Sequence, residues 1–164
     1  MTQTQWLLIG LASGLLFVGG KKVIDLTKAS ENEKKFAPLI AATEKKYGIP
    51  TGLLHRLIKQ ESAFKTAVIN GTQKSSAGAL GIAQFMPKTA IEELGSVQAA
   101  LNPVIAIDGA GRYLKKQLAW TKNRGWLDAV AAYNWGAGNV NKFRAGKIKT
   151  MPLETQKYIA AIVA

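Results

Sequence analysis

The chain has 164 residues, 48% of them hydrophobic and 20% charged, which suits one compact domain plus an appendage and excludes a disordered chain. Cysteine is absent and histidine occurs once, at His55, which excludes disulfides, thiolate or His-rich metal sites, and any Cys- or Ser-based triad not built on that residue. The 22 basic side chains against 10 acidic ones leave a net charge of +12, pointing to an anionic partner: nucleic acid, acidic lipid or an anionic wall polymer.

Met1 to Gly20 carries no charged side chain, and Trp6 to Gly20 is nearly all apolar before Lys21 and Lys22. A helix needs roughly 20 residues to cross the hydrocarbon core, a length this run meets. No basic residue precedes the run and no small-x-small site follows it, so residues 1–22 read as an uncleaved transmembrane anchor; a removed signal peptide is the alternative. Gly10 and Gly14 form a GxxxG pair compatible with helix packing in lipid. The positive-inside tendency holds Lys21, Lys22, Lys28, Lys34 and Lys35 on the cytoplasmic side. Residues 23–35 are polar and lysine-rich and read as a linker to a domain spanning 36–164.

The domain reads as mainly α. Phe36, Leu39, Ile40 and Thr43 share a helical face that ends before Gly48, with Pro50 as a stop and Thr51 as the cap of the next helix. That next helix, Leu53 to Phe64, carries Leu54, Leu57 and Ile58 on one face, and Glu61 is the next position on the same stripe. Two readings of Glu61 stay open from periodicity: a solvated glutamate near a helix end, or a carboxylate pointed at the core. A buried carboxylate has a raised pKa and can stay protonated, as a general acid must. Ser62 to Ser76 reads as a loop, and Lys88 to Leu94 as a short helix after Pro87. Ile105 to Trp120 is a periodic helix with Ile105, Ala106, Gly109, Tyr113 and Leu118 inward. Leu127 to Tyr133 is an apolar helix stopped by Gly136 and Gly138, and a last helix runs from Glu154 to Val163. No alternating run is long enough for a good strand.

Several blocks resemble one pattern. Glu61-Ser62-Ala63-Phe64 is similar to the ESxF signature of the lytic transglycosylase (SLT) domain. Ser75 to Pro87, SSAGALGIAQFMP, resembles that family's S-x-x-G-A-x-G-L-M-Q-x-M-P block. Asn102 to Leu114 resembles its N-x-x-x-G-x-x-Y-L helix, with altered glycine spacing. Ala131 to Val140, AAYNWGAGNV, resembles AYNxGxGxV, and MPLETQKYI resembles the terminal L-P-x-E-T-x-x-Y-V. The order and spacing of these blocks over 36–162 make the likeness specific; it does not reach the anchor.

The resemblance implies a lysozyme-like helical domain with a groove for the glycan strands of peptidoglycan. It implies Glu61 as the sole catalytic carboxylate, Gln84 and Tyr133 lining the groove, Ser75 beside Glu61, and Asn134 and Glu154 supporting the site. It implies cleavage of the bond between N-acetylmuramic acid and N-acetylglucosamine with closure of a 1,6-anhydro ring, without metal or cofactor. Two departures stand out: Ala83 replaces the usual methionine, and Trp135 replaces a small residue. A lysozyme-like hydrolase and a non-catalytic virion-membrane or wall-binding protein remain alternatives. A membrane-containing phage particle reconciles a cytoplasmic lysine-rich segment with a wall substrate, so the expected location is a virion membrane or a bacterial inner membrane.

The remaining residues carry plainer expectations. His55 reads as a partly exposed helix residue, and Trp120 and Trp126 as core. Asp108 and Asp128 read as solvated, and Glu92 and Glu93 as surface residues of the short helix. The lysines form no compact motif, so no specific nucleic-acid partner is expected.

Overall fold

A computed structural model describes residues 15–18 and 21–163, with side chains from residue 24 onward. Among the described residues, eight α-helices and one 3-10 turn build the domain: α1 (Glu31–Tyr47), α2 (Leu53–Ser62), α3 (Thr66–Ile69), α4 (Pro87–Leu94), the turn Gln98–Leu101, α5 (Pro103–Trp120), α6 (Trp126–Trp135), α7 (Ala137–Arg144) and α8 (Leu153–Val163).

The described part of the expected anchor is not helical. β1 (Leu15–Val18) pairs antiparallel with β2 (Lys21–Asp25), Leu15 opposite Asp25 and Val18 opposite Lys21. The rest of the expected anchor, residues 1–14 and 19–20, lies outside the described residues. Among those described, no helix is long and apolar enough to cross a membrane.

The segment expected to be a linker also contributes structure. Ser30 caps α1, its Oγ accepting from the Glu33 amide at 3.2 Å, so the helix starts well before Phe36. Ser30-x-x-Glu33 has the sequence form of a capping box. Glu33 is itself buried and takes a hydrogen bond from Lys59 Nζ at 2.9 Å, which ties α1 to α2.

The N-terminus of α2 is capped from a distance. Thr51 does not serve; Gly52 occupies the cap position and offers no side chain. The buried carboxylate of Glu44, on α1, instead accepts from the amides of Gly52 (2.8 Å), Leu54 (2.9 Å) and His55 (3.2 Å). Three orphan donors are satisfied by one side chain. Glu44→Ala leaves them buried without acceptors and is expected to lower stability by about 2–4 kcal/mol in chemical denaturation.

Beyond its cap, α2 buries Leu54, Leu57 and Ile58 completely, each contributing about 2 kcal/mol. This helix packs against α1 and α8, while α5 packs against α1 and α6, and α6 against α7 and α8. The α1–α5 crossing is close because of Gly111: a Cβ there would meet Thr43 Cγ2 at 2.4 Å and Tyr47 Cδ2 at 2.9 Å.

Other expectations need correcting. The 62–76 loop contains the short helix α3, with Val68 and Ile69 turned into the core. Ile105 is exposed and Ile107 is buried in its place, since α5 starts at Pro103 and turns a different face inward. Gly136 does end α6, but Gly138 lies inside α7. His55 is buried against Phe64, ring centroids 5.4 Å apart. Burial lowers its pKa to about 4, so the neutral ring 3.3 Å from Glu33 forms no ion pair at neutral pH. Asp128 is buried between Arg124 (2.9 Å) and Arg144 (3.0 Å) rather than solvated. Glu93 keeps little exposed side chain and accepts from Lys116 Nζ at 2.8 Å. Asp108 is partly shielded by Lys46 and Tyr47. In each of these acids a cation or hydroxyl from a distant stretch supplies the partner.

Candidate active site

Glu61 sits in the last turn of α2, where the apolar stripe runs out into a cleft. Beyond it the chain reverses through two consecutive non-glycine residues in the left-handed region, Ala63 (φ 48°) and Phe64 (φ 55°). That backbone is costly and persists only when its surroundings fix it. Here they do. The Ala63 amide donates to Lys59 O at 2.8 Å, Ser62 Oγ donates to Ile58 O and accepts from the Phe64 amide, and the Phe64 ring is buried. The ESAF block thus reads as a stop: serine ties off the helix, phenylalanine anchors the turn, and glutamate is left facing the opening.

A second tight loop forms the opposite wall. Leu80 and Phe85 exchange backbone hydrogen bonds at 3.0 Å in both directions, closing the loop that contains Gly81 and Gln84. Gly81 has φ +73°, and a Cβ there would lie 1.8 Å from Ala100 O, so no other residue fits. Gln84, also left-handed at φ 49°, donates from Nε2 to Gly81 O at 2.9 Å.

Between these walls lies a cleft of about 310 Å³ whose lining includes Gln60, Glu61, Lys74, Ser75 and Gln84. The structure therefore brings Ser75 and Gln84 to the same opening as Glu61. Ser75 Oγ accepts from the Ala79 amide at 2.9 Å, which fixes the turn leading to Gly81. Glu61 is the one carboxylate among the lining residues. Burial pushes its pKa up to about 7, against the opposing pull of a hydrogen bond from Tyr158.

The Tyr158 hydroxyl, on α8, donates to Glu61 Oε1. Tyr158 closes the MPLETQKY stretch, so its position within a recognised block was the available signal. Tyr133 stands nearby on α6, its hydroxyl donating to Ala83 O at 3.0 Å. Burial raises its pKa well above the phenol range, and the Glu61 charge adds to the rise. The small Ala83 is fully buried beneath it. Asn134 acts at one remove: its Oδ1 accepts from Thr155 Oγ1 at 2.8 Å, joining α6 to the helix that carries Tyr158. Glu154 does not join this group. It is exposed in the first turn of α8, where it complements the helix dipole. Trp135 packs edge-on against Phe143 at 6.3 Å, on the core side rather than in the cleft.

The sequence matches the Transglycosylase SLT domain family over residues 38–151. This chain belongs to that family. The SLT match ends before α8, so Tyr158 lies beyond it. The fold is also similar to that of the lytic transglycosylase Slt from Pseudomonas aeruginosa, solved as an inactive mutant with glutamate replaced by glutamine. The TM-score is 0.60 at 24% identity, over 76% of this chain and 22% of that longer protein. This SLT domain thus spans under a quarter of the Slt chain, and the likeness is one of fold.

The Tyr158 contact yields a test within the site. Removing the hydroxyl removes the interaction that favours the ionised carboxylate. Tyr158→Phe is expected to move the midpoint of the Glu61 titration upward by about one pH unit, followed by carboxyl NMR.

Proposed function

We propose that this SLT domain is a peptidoglycan lytic transglycosylase that cleaves the β-1,4 bond between N-acetylmuramic acid and N-acetylglucosamine. The observation that carries the reading is a cleft whose lining holds a single carboxylate, with its pKa pushed up to about 7. Two-carboxylate glycosidases place a second acid across the scissile bond as nucleophile or base. Here the other buried acids are engaged elsewhere: Glu44 caps α2, Glu33 holds Lys59, and Asp128 is clamped by two arginines.

With one acid, the substrate supplies the nucleophile. Glu61 protonates the bridging oxygen, and the C1–O bond breaks as the acetamido group stabilises charge at C1. The ionised Glu61 then takes the proton of the muramyl 6-hydroxyl, whose oxygen bonds to C1 and closes the 1,6-anhydro ring. The acid ends the cycle protonated, and no water enters. One residue serving as acid and then base wants a pKa near the working pH. Tyr158 holds one carboxylate oxygen, leaving the other for the sugar. Ser75, Gln84 and Tyr133 border the strand, and Asn134 fixes α8 behind them. Glu154 supports the site only through the start of α8.

What favours a membrane location, in a virion or at the bacterial inner membrane, is the uncharged run from Met1 to Gly20. The domain then meets the wall from that surface.

Mass spectrometry of wall digested by the full chain tests the reaction. Anhydromuramyl ends are the expected product. Reducing ends heavier by one water would assign a lysozyme-like hydrolase instead, and undigested wall would leave a binding protein.

A further inference from the structure

The cleft that holds Glu61 sets two cations against that one acid: Lys65 and Lys74 are the other charged side chains of its lining. Both are exposed, and among the described residues neither meets a carboxylate at ion-pair distance. Lys59 and Lys116 differ, their ammonium groups resting on Glu33 at 2.9 Å and Glu93 at 2.8 Å. Nor does Glu61 take up the cleft lysines, since its hydrogen bond comes from Tyr158. Trp120, expected in the core, stands half exposed at the end of α5 and takes no part in this lining.

The backbone beneath both lysines is held at each end. Lys65 follows the left-handed Ala63–Phe64 turn, its amide donating to Ser62 O at 3.0 Å and its carbonyl accepting from the Val68 and Ile69 amides at 3.0 Å. Ahead of Lys74, the Gln73 amide donates to Ala67 O at 2.7 Å, and the Thr72 amide and hydroxyl donate to Asn70 Oδ1 at 3.0 and 2.8 Å. Behind it, Ser75 Oγ holds the turn toward Gly81. Val68 and Ile69 bury the middle of the segment. Asn32 Nδ2, on α1, donates to Phe64 O at 3.0 Å and to Thr66 Oγ1 at 2.9 Å. Two ammonium heads are thus carried on a fixed rim, on flexible four-carbon stems that can follow an acceptor.

Two like charges at an opening of about 310 Å³ add their fields there and attract an anion. N-acetylated sugars are themselves neutral. A muramyl unit whose lactyl carboxyl is joined to a peptide carries its negative charge on the carboxylates of that peptide. Glu61 works at the bond beside that unit, so the peptide departs from the strand near the same opening. We infer that Lys65 and Lys74 bind a carboxylate of the peptide borne by the muramyl unit at the cut bond, so that the domain prefers peptide-bearing, anionic strands. The inference rests on the proposed glycan-cleaving function and adds two specificity residues to that site.

The test compares two forms of uncross-linked strand cut by the full chain, one with its peptide carboxylates intact and one with them converted to methylamides. Wild type is expected to show a KM about tenfold lower on the anionic form and the same kcat on both, because two solvated ion pairs assist binding and not the chemical step. Salt at about 1 M is expected to erase the difference. Lys65→Gln/Lys74→Gln is expected to bring both KM values to that of the methylamide form. Lys147→Gln/Lys149→Gln removes the same charge from exposed positions outside the lining and is expected to keep the preference. Thermal melting checks that both double variants fold. A preference that survives loss of Lys65 and Lys74, or that falls equally in the Lys147/Lys149 variant, overturns the inference and leaves the proposed function standing. Equal wild-type KM values do the same, as does a lower KM on strands stripped by an amidase, whose anion is the lactyl carboxylate. Cleavage of neither form removes the proposed function and the inference together.

Discussion

Glu61→Gln is expected to lower the rate of wall cleavage by about 10³-fold or more while leaving glycan affinity in place. The substitution is nearly isosteric, and the amide oxygen can still accept from Tyr158, so the cleft keeps its shape. What disappears is the proton. Both halves of the proposed cycle use it, first given to the bridging oxygen and then recovered from the 6-hydroxyl. Each transfer is worth about 10²- to 10⁴-fold, and no other carboxylate lines the cleft to stand in. Turbidity clearing of purified peptidoglycan, wild type beside variant, measures the loss, and binding of the variant to the same wall measures what is retained. Clearing at the wild-type rate would remove Glu61 from its role.

The same substitution is expected to stabilise the folded protein at alkaline pH. In the folded state burial raises the Glu61 pKa to about 7, whereas in the unfolded chain it lies near the ordinary 4.5. Below pH 4.5 both states hold the proton and the group is neutral in its effect. Between 4.5 and 7 the folded state keeps a proton that the unfolded state releases, so wild-type stability falls as pH rises. Above 7 the deficit levels off. At about 1.4 kcal/mol per pKa unit it reaches roughly 3 kcal/mol. Glutamine carries no such proton. The melting temperatures of wild type and Glu61→Gln should coincide near pH 4 and separate by roughly 5–10 °C by pH 8, the variant being higher. A gap that fails to open with pH would mean that the carboxyl is well solvated, and the acid reading would fall with it.

Local signals carried the helices that packing then used without change. Pro87 marks the start of α4, Gly48 the end of α1, and the Leu54-Leu57-Ile58 stripe the inward face of α2. Where reading failed, the missing partner lay far along the chain. The cap of α2 comes from Glu44, not from neighbouring Thr51, and the burial of Asp128 depends on Arg144, sixteen positions on. His55 looked exposed because nothing near it announced that Glu33 and Phe64 would close over it. Two differences are local: Ser30-x-x-Glu33 forms a cap inside a lysine-rich stretch, and Gly138 lies within α7, where Val140 continues the buried face.

Within the site, the cleft grouping of Glu61, Ser75 and Gln84 could be expected only from a family resemblance, because its two walls meet through backbone turns no periodicity encodes. Glu154 and Tyr158 sit in the same block, four residues apart. The structure turns the tyrosine inward to the acid and the glutamate outward to water.

The Glu61–Tyr158 contact joins residues 97 positions apart. Contacts of such sequence separation form after local ones, because a long loop must first be closed. A ribosome therefore delivers the acid long before the helix that steadies it, and a nascent chain halted ahead of Leu153 would expose the carboxylate in a half-built pocket. The proposed acid thus gains its steadying hydroxyl only once α8 has docked.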